Sequence, residues 1–449
     1  MVSQLAKEKS TQGASAFRTF QERLNGEGAL WLKRLRLEAL ARFEQLGFPT
    51  VNEEEWKYTN VAPIAKIGFE PATARPEDVL IAAGQLETLT YDEAQRSRLV
   101  FINGTYQPQL SSLDALPQGV LAIAMADALR DDHHAEVVRE HMARRADDHE
   151  NAFTALNTAH LASGAVVMIP KDVRVEAPIH LLFLSAPQTV PAVSFPRVLI
   201  VAGTGSEATV IENYAGVRDG LYWTNAVLDV VLEDGARLNL YKVQRESTEA
   251  FHIAATNALL GRSSSFNATT ITLGAQLSRH DISVTLDHEG AECWVDGLYI
   301  VGTGQHADTH SAIDHRSPHC TSHQLYKGIL DGKSRAVFNG KVFVRPGAQQ
   351  TDAKQTNKNL LLSNEARVDT KPQLEIFADD VKCAHGATVG QLEDEQLFYL
   401  ASRGMHQDIA RNLLTYGFAE EVIDKIRVES IKAQLDEAVL NRLHARLEA

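Results

Sequence analysis

The sequence is most informative first in what it has little of. Its 449 residues include only three cysteines, Cys293, Cys320 and Cys383, widely separated in the chain. Three scattered thiols cannot build a disulfide framework, so reduced cysteines and a cytoplasmic setting are expected. Basic charge is also scarce: 44 Lys and Arg against 58 Asp and Glu leave a formal net charge of -14. Such a surface repels nucleic acid and anionic lipid, and no local basic patch offsets it. No apolar run approaches the roughly 18 to 20 residues of a membrane span, and Met1 to Gly13 holds no apolar signal core. The expectation is therefore a protein without nucleic-acid or membrane partners that stays in the compartment where it is made. Gly203-Thr204-Gly205 extends to neither a dinucleotide fingerprint nor a phosphate loop, so no nucleotide is expected on this chain.

What is present is the balance of a folded globular chain, 44% hydrophobic and 23% charged. The length calls for two or three domains, or for one elongated repeat architecture. Three textures divide it, at residues 1–155, 156–390 and 391–449. The first is mainly helical. Trp31, Leu32, Leu35, Leu40, Phe43 and Leu46 form an apolar stripe ended by Gly47 and Pro49. An acidic run, Glu53 to Glu55, then leads into Trp56, a core or docking aromatic. A charged helix is expected from Ala126 to His149, with minor strands at Leu99 to Asn103 and Val120 to Ala124.

From Asn157 to Gly390 the pattern changes to many short β-type runs with no long helical period. A sandwich, a barrel or a β-solenoid could absorb them. Their recurrence every 10 to 20 residues or so fits the rungs of a parallel β-helix best. The polar stretch Gln349 to Asn359 suits a solvated corner. After Leu392 the chain is helical again: one helix ends at Gly404 and a second at Gly417. A third carries Ile431, Leu435, Val439, Leu443 and Leu447 at i+4 spacing, a stripe that fastens the small domain while neighbouring surface meets a partner.

Among residues able to carry chemistry, Cys383 and His385 form the sharpest pair. On a strand, positions i and i+2 share a face, and thiolate and imidazole both suit iron. The row His306, His310, His315, His319 and His323 invites a zinc reading. Thr309, Ile313 and Pro318 break the helix that would gather these imidazoles, so a solvated His-rich corner is expected instead. Cys293 and Cys320 read as structural thiols, and Arg279-His280-Asp281 as a polar turn. Two rival functions remain at this level: a β-helix polysaccharide lyase or hydrolase, and a His-rich homodimeric metal-binding protein.

Several runs carry a family resemblance. Ser322-His-Gln-Leu-Tyr-Lys-Gly-Ile-Leu330, Val337-Phe-Asn-Gly-Lys-Val-Phe-Val344, Gln350-Thr-Asp-Ala-Lys-Gln355, Asn357-Lys-Asn-Leu-Leu-Leu-Ser363, Pro372-Gln-Leu-Glu-Ile376 and Asp379-Asp-Val-Lys-Cys-Ala-His-Gly-Ala-Thr388 resemble the core of the SufB/SufD family. Trp56-Lys-Tyr-Thr59 resembles its N-terminal part. The SufB branch reads His-Glu-Ala where this chain has His385-Gly386-Ala387, and carries a cysteine where this chain has Leu374. The chain is thus more similar to the SufD branch. The resemblance implies a mainly β fold, with a right-handed parallel β-helix core flanked by N- and C-terminal helical domains. It implies no enzyme but a scaffold subunit of the SUF iron-sulfur cluster assembly complex, supporting cluster assembly and iron acquisition. A SufB-like subunit would pair through the end of the core, and a SufC-like ATPase would bind the C-terminal helices. The isolated chain would be a possible homodimer. His385 would lie at the partner junction, with Cys383 beside it, around iron or a transient cluster shared with the partner.

Overall fold

A computed structural model describes residues 29–143 and 151–444. The Met1–Gly13 stretch, the end of the expected Ala126–His149 helix and Leu447 lie outside the described residues. Each pass of the chain lays one strand in each of two sheets. The first sheet runs, from one end to the other, through Arg367–Ile376, Arg335–Val344, His306–His315, Leu277–Leu286, Phe251–Leu260, Tyr222–Leu232, Pro196–Ala202, Ser163–Ile169 and Leu121–Ala124. The second runs through Val381–Gly390, Thr351–Leu361, Thr321–Leu330, Glu292–Val301, Ser265–Thr272, Arg237–Arg245, Glu207–Gly216, Ile179–Ser185, Arg98–Ile102 and Thr105–Tyr106. Successive turns pair in parallel and in register, as in Asp229 with Asn257 and Asn257 with Ser283. The result is the expected parallel β-helix, about eight turns tall, and not a sandwich of antiparallel sheets.

Alternation decides which side chains enter it. Val198, Ile200 and Ala202 face Ala226, Leu228, Val230 and Leu232 across successive turns within one continuous buried cluster. The early strands also have a covered outer face. Ile179–Ser185 is buried at every position, which is why its middle, Leu181 to Leu184, reads as a continuous apolar run. Higher up, large and small residues interlock. The Tyr326 ring lies where a Cβ on Gly297 would come within 2.2 Å of it, and Tyr299 stands in the same relation to Gly328. Only glycine leaves room for these rings.

Helices coat the two outer faces. Ala152–Ala159, capped by the Asn151 side chain on Phe153 N and Thr154 N, packs with Phe43, Trp56 and Trp223 on the first sheet. On the second sheet, Ile431, Leu435 and Val439 meet Tyr241, Val243, Leu298 and Ile300. The i+4 stripe therefore faces the solenoid wall, and does not merely join three short helices.

Two further expectations are corrected. The second C-terminal helix runs Gln407–Ile423, straight through Gly417. Glycine inside a helix costs only about 1 kcal/mol, and buried Thr415, Ala419, Val422 and Ile423 outweigh it. Gln349 to Asn359 is no corner, because Thr351–Leu361 is a full strand with Gln355, Asn357 and Asn359 buried.

Candidate functional site

The sequence pair falls on the last strand. Val381–Gly390 has a neighbour on one side only, Thr351–Leu361, with Cys383 opposite Ala353 and His385 opposite Gln355. Ala353 and Gln355 are buried in the solenoid, so both candidate ligands stand in inward-facing columns of an uncovered rung. Cys383 is half-buried against the core, and that burial pushes its thiol up from the ordinary range. His385 is exposed. No other strand lies beyond it among the described residues.

Beneath this rung the interior turns polar. Gln355 Nε2 donates to Gln324 Oε1 at 2.6 Å, Asn359 Nδ2 to Asn357 Oδ1 at 2.7 Å, and the Tyr299 hydroxyl to Asn359. Gln355 Oε1 and Gln324 Nε2 are buried without a partner among the described residues. Sequence reasoning missed this floor. Its signal was the alternation of polar residues in Gln355, Asn357 and Asn359, which marks an inward strand face as readily as a solvated corner.

The backbone of the open end is equally exposed. Asp352 N donates to Cys320 O and Leu362 N to Leu330 O, so even residues of Thr351–Leu361 turn to the preceding strand. Odd residues turn to Val381–Gly390. With the same offset, Val381, Cys383, His385, Ala387 and Val389 keep their N–H and C=O groups free at the edge. Ten-residue unpaired edges of this kind are templates for a further strand.

Near the same end, the acidic run forms a clasp on the outer face of the first sheet. Glu54 pairs with Lys371 of the terminal strand and Glu55 with Lys341, each at 2.5 Å. Glu55 also meets His310 Nδ1 at 3.2 Å, and His310 Nε2 meets Asp308 at 3.1 Å. The Arg279 guanidinium lies 3.7 Å from the Trp56 ring centroid, with Asp308 at 2.8 Å and Asp281 at 2.9 Å. Trp56 is thus a core aromatic, buried between the first helices and the sheet. Arg279-His280-Asp281 is not a turn but the middle of a strand, kept there because the buried guanidinium has two carboxylates and a ring face. Burial disfavours charge on His310, yet Asp308 and Glu55 outweigh it and raise its pKa to about 9. The His310 contact, against the cost of burial, lowers Glu55 to about 2.

The histidine row disperses. His306 reaches Thr59 at 3.1 Å, and His315 is buried with its Nε2 at 2.8 Å from Ser322 Oγ. His319 occupies a turn at φ 59°, and His323 stacks on Trp294 in the other sheet. It is a set of strand residues and not a corner, with only His319 in a turn. Cys293 and Cys320 are buried, and burial pushes both thiols up.

A second uncovered surface lies on the C-terminal helices. Phe398 is 74% and Tyr399 57% exposed on Asp394–Ser402, while Ile409 and Leu413 are exposed on the next helix.

Comparison with known proteins identifies the family. Residues 183–418 match the profile described as "SUF system FeS cluster assembly, SufBD core domain", and residues 7–181 match "SufBD protein N-terminal region". An iron-sulfur cluster assembly SufBD family protein of Synechocystis is 37% identical over 88% of this chain and 87% of its own length. The iron-sulfur cluster assembly protein SufD of Escherichia coli is 34% identical, with 91% of each chain covered. The SufD protein of Bacillus subtilis is 28% identical over 90% of this chain and 92% of its own.

Proposed function

The chain belongs to the SufBD family of iron-sulfur cluster assembly proteins, and from that premise we propose that it is a SufD-type scaffold subunit acting in the cytoplasm. In this reading it pairs through its open rung with a SufB-like subunit, binds a SufC-like ATPase through its C-terminal helices, and catalyses no reaction itself. The observation that carries the proposal is the uncovered last turn, where free strand edges and two donors that suit iron, a thiol and an imidazole, occupy one rung. Iron or the nascent cluster is the cargo. His385 and Cys383 supply at most two donors of the four a cluster takes, so the partner or inorganic sulfide completes the set. Partial ligation suits a site that must release what it builds. Exposed Phe398, Tyr399, Ile409 and Leu413 supply an apolar patch for the ATPase.

The test is His385→Ala in the co-expressed complex. An exposed imidazole contributes little to stability, so complex recovery and melting temperature should match the parent. Cluster yield on reconstitution should fall strongly. Parental yield, or a complex that falls apart, would overturn the assignment of His385.

A further inference from the structure

The C-terminal helices do not close completely onto the wall they cover. Ile431, Leu435 and Val439 pack against the second sheet, yet a hollow of about 300 Å³ remains between the last two helices and the ends of Glu292–Val301 and Thr321–Leu330. Ile300, Val301, Ile329, Leu362, Thr415 and Val439 line it, and all of them are buried. The polar side chains deep in the hollow already have partners. Thr415 Oγ1 donates to Arg411 O at 2.8 Å, while Gln305 accepts from Gly302 N at 2.8 Å and donates to Ala275 O at 3.1 Å. The inner lining therefore offers an occupant apolar contact and no hydrogen bond. Water held there would lose partners it has in bulk, and an empty apolar hollow lowers stability in proportion to its volume. Free polar groups stand only at the mouth, where Thr248 is exposed and Asp331 half-buried. Asp331 is the one ionisable side chain of the lining among the described residues.

We propose that this hollow is a binding site for a compact, uncharged apolar molecule of about ten to twelve carbon atoms. The size follows from the volume, since an apolar cavity of about 150 Å³ takes benzene and this one is about twice as large. The charge follows from the lining. Nothing inside can pair with an ion, and Asp331 at the mouth repels an anionic head group. A hydroxyl left at the mouth donates to the same carboxylate. Because the lining is drawn from the wall and from both Gln407–Ile423 and Glu429–His444, a bound molecule fastens the helices to the sheet and stabilises the folded chain. The site depends neither on the open rung nor on the ATPase assignment.

Geraniol, an uncharged monoterpene alcohol, is the probe, added to the full chain in titration calorimetry and in thermal melts. Saturable binding of one molecule per chain is expected, with a melting temperature that rises with probe concentration. Val439→Phe places a ring in the hollow. It should melt at or above the parent and bind geraniol about tenfold more weakly or worse. No saturable binding by the parental chain, or undiminished binding by Val439→Phe, would overturn the site. So would a Val439→Phe chain that melts well below the parent, because overpacking of that kind means that no space exists for the ring. Geranic acid, the carboxylate of the same chain, should bind about tenfold more weakly than geraniol. Equal or tighter binding of the acid would overturn the uncharged class.

Discussion

The two ends of the solenoid are built on opposite terms. At the first end the sheets are closed off by short antiparallel pieces: Leu121–Ala124 on Ser163–Ile169, and Thr105–Tyr106 folding back on Arg98–Ile102. Met125 and Ala128 of the following helical turn are buried with Val166 and Leu199. Short, covered edges offer nothing to another chain. At the last end, two ten-residue strands stand uncovered. Most of Arg367–Ile376 is half-buried and most of Val381–Gly390 exposed, with apolar Ile376, Phe377 and Val389 at the surface. Solenoids need capped ends to stay soluble. One cap made and one left off is therefore what a subunit requires when its second cap is another subunit.

The largest expected difference lies in core substitutions. Phe183 is stacked between Phe101 and Tyr214, each ring centroid 5.0 Å away. Phe183→Ala should cost about 3–5 kcal/mol in denaturant unfolding. Leu374→Ala, at the half-covered last rung, should cost about 1 kcal/mol in the free chain. Equal costs would mean that the open end is already packed as tightly as the closed one.

The pH response sharpens the comparison next, because the clasp on Lys371, Lys341 and His310 is what the open end has on its outer face in place of a cap. His310 holds its proton to about pH 9 in the fold, against about 6.5 when unfolded. Its contribution is complete below about pH 6.5 and is lost as pH rises through about 9, on the order of 3 kcal/mol in all. His310→Gln should flatten the decline in stability between those values. An unaltered profile would show that the imidazole does not hold the clasp.

Smaller still is the effect expected at the exposed helical patch. Phe398→Asp should weaken ATPase capture by about 2 kcal/mol or more, while unfolding stability moves by less than about 0.5 kcal/mol. Retained capture would move the docking surface elsewhere. A point substitution is the proper probe, because removing the helices would uncover Tyr241, Ile271, Leu298 and Ile329 on the sheet beneath them.

Much of this was legible in the sequence, for reasons that differ from place to place. The early strands were visible because both of their faces are covered, so runs such as Leu181 to Leu184 are apolar. Cys383 and His385 were visible because strand alternation puts i and i+2 on one side whatever the tertiary surroundings. The misreadings share a cause. Gly417, the buried polar side chains of Gln355 to Asn359, and Arg279-His280-Asp281 all break a local rule that tertiary partners override. Gly417 is carried by helix packing on the sheet, the amides by one another, and Arg279 by Trp56, Asp281 and Asp308. No local spacing announces partners more than 200 residues away, as Glu55 is from Arg279.

The most direct test of an open end kept for a partner is amide hydrogen exchange on the chain alone and in complex with the SufB-like and SufC-like subunits proposed for it. The alternating backbone pattern predicts slowed exchange at Val381, Cys383, His385, Ala387 and Val389, with Leu121–Ala124 unchanged. Unaltered exchange along Val381–Gly390 in a complex that is demonstrably assembled would contradict the account.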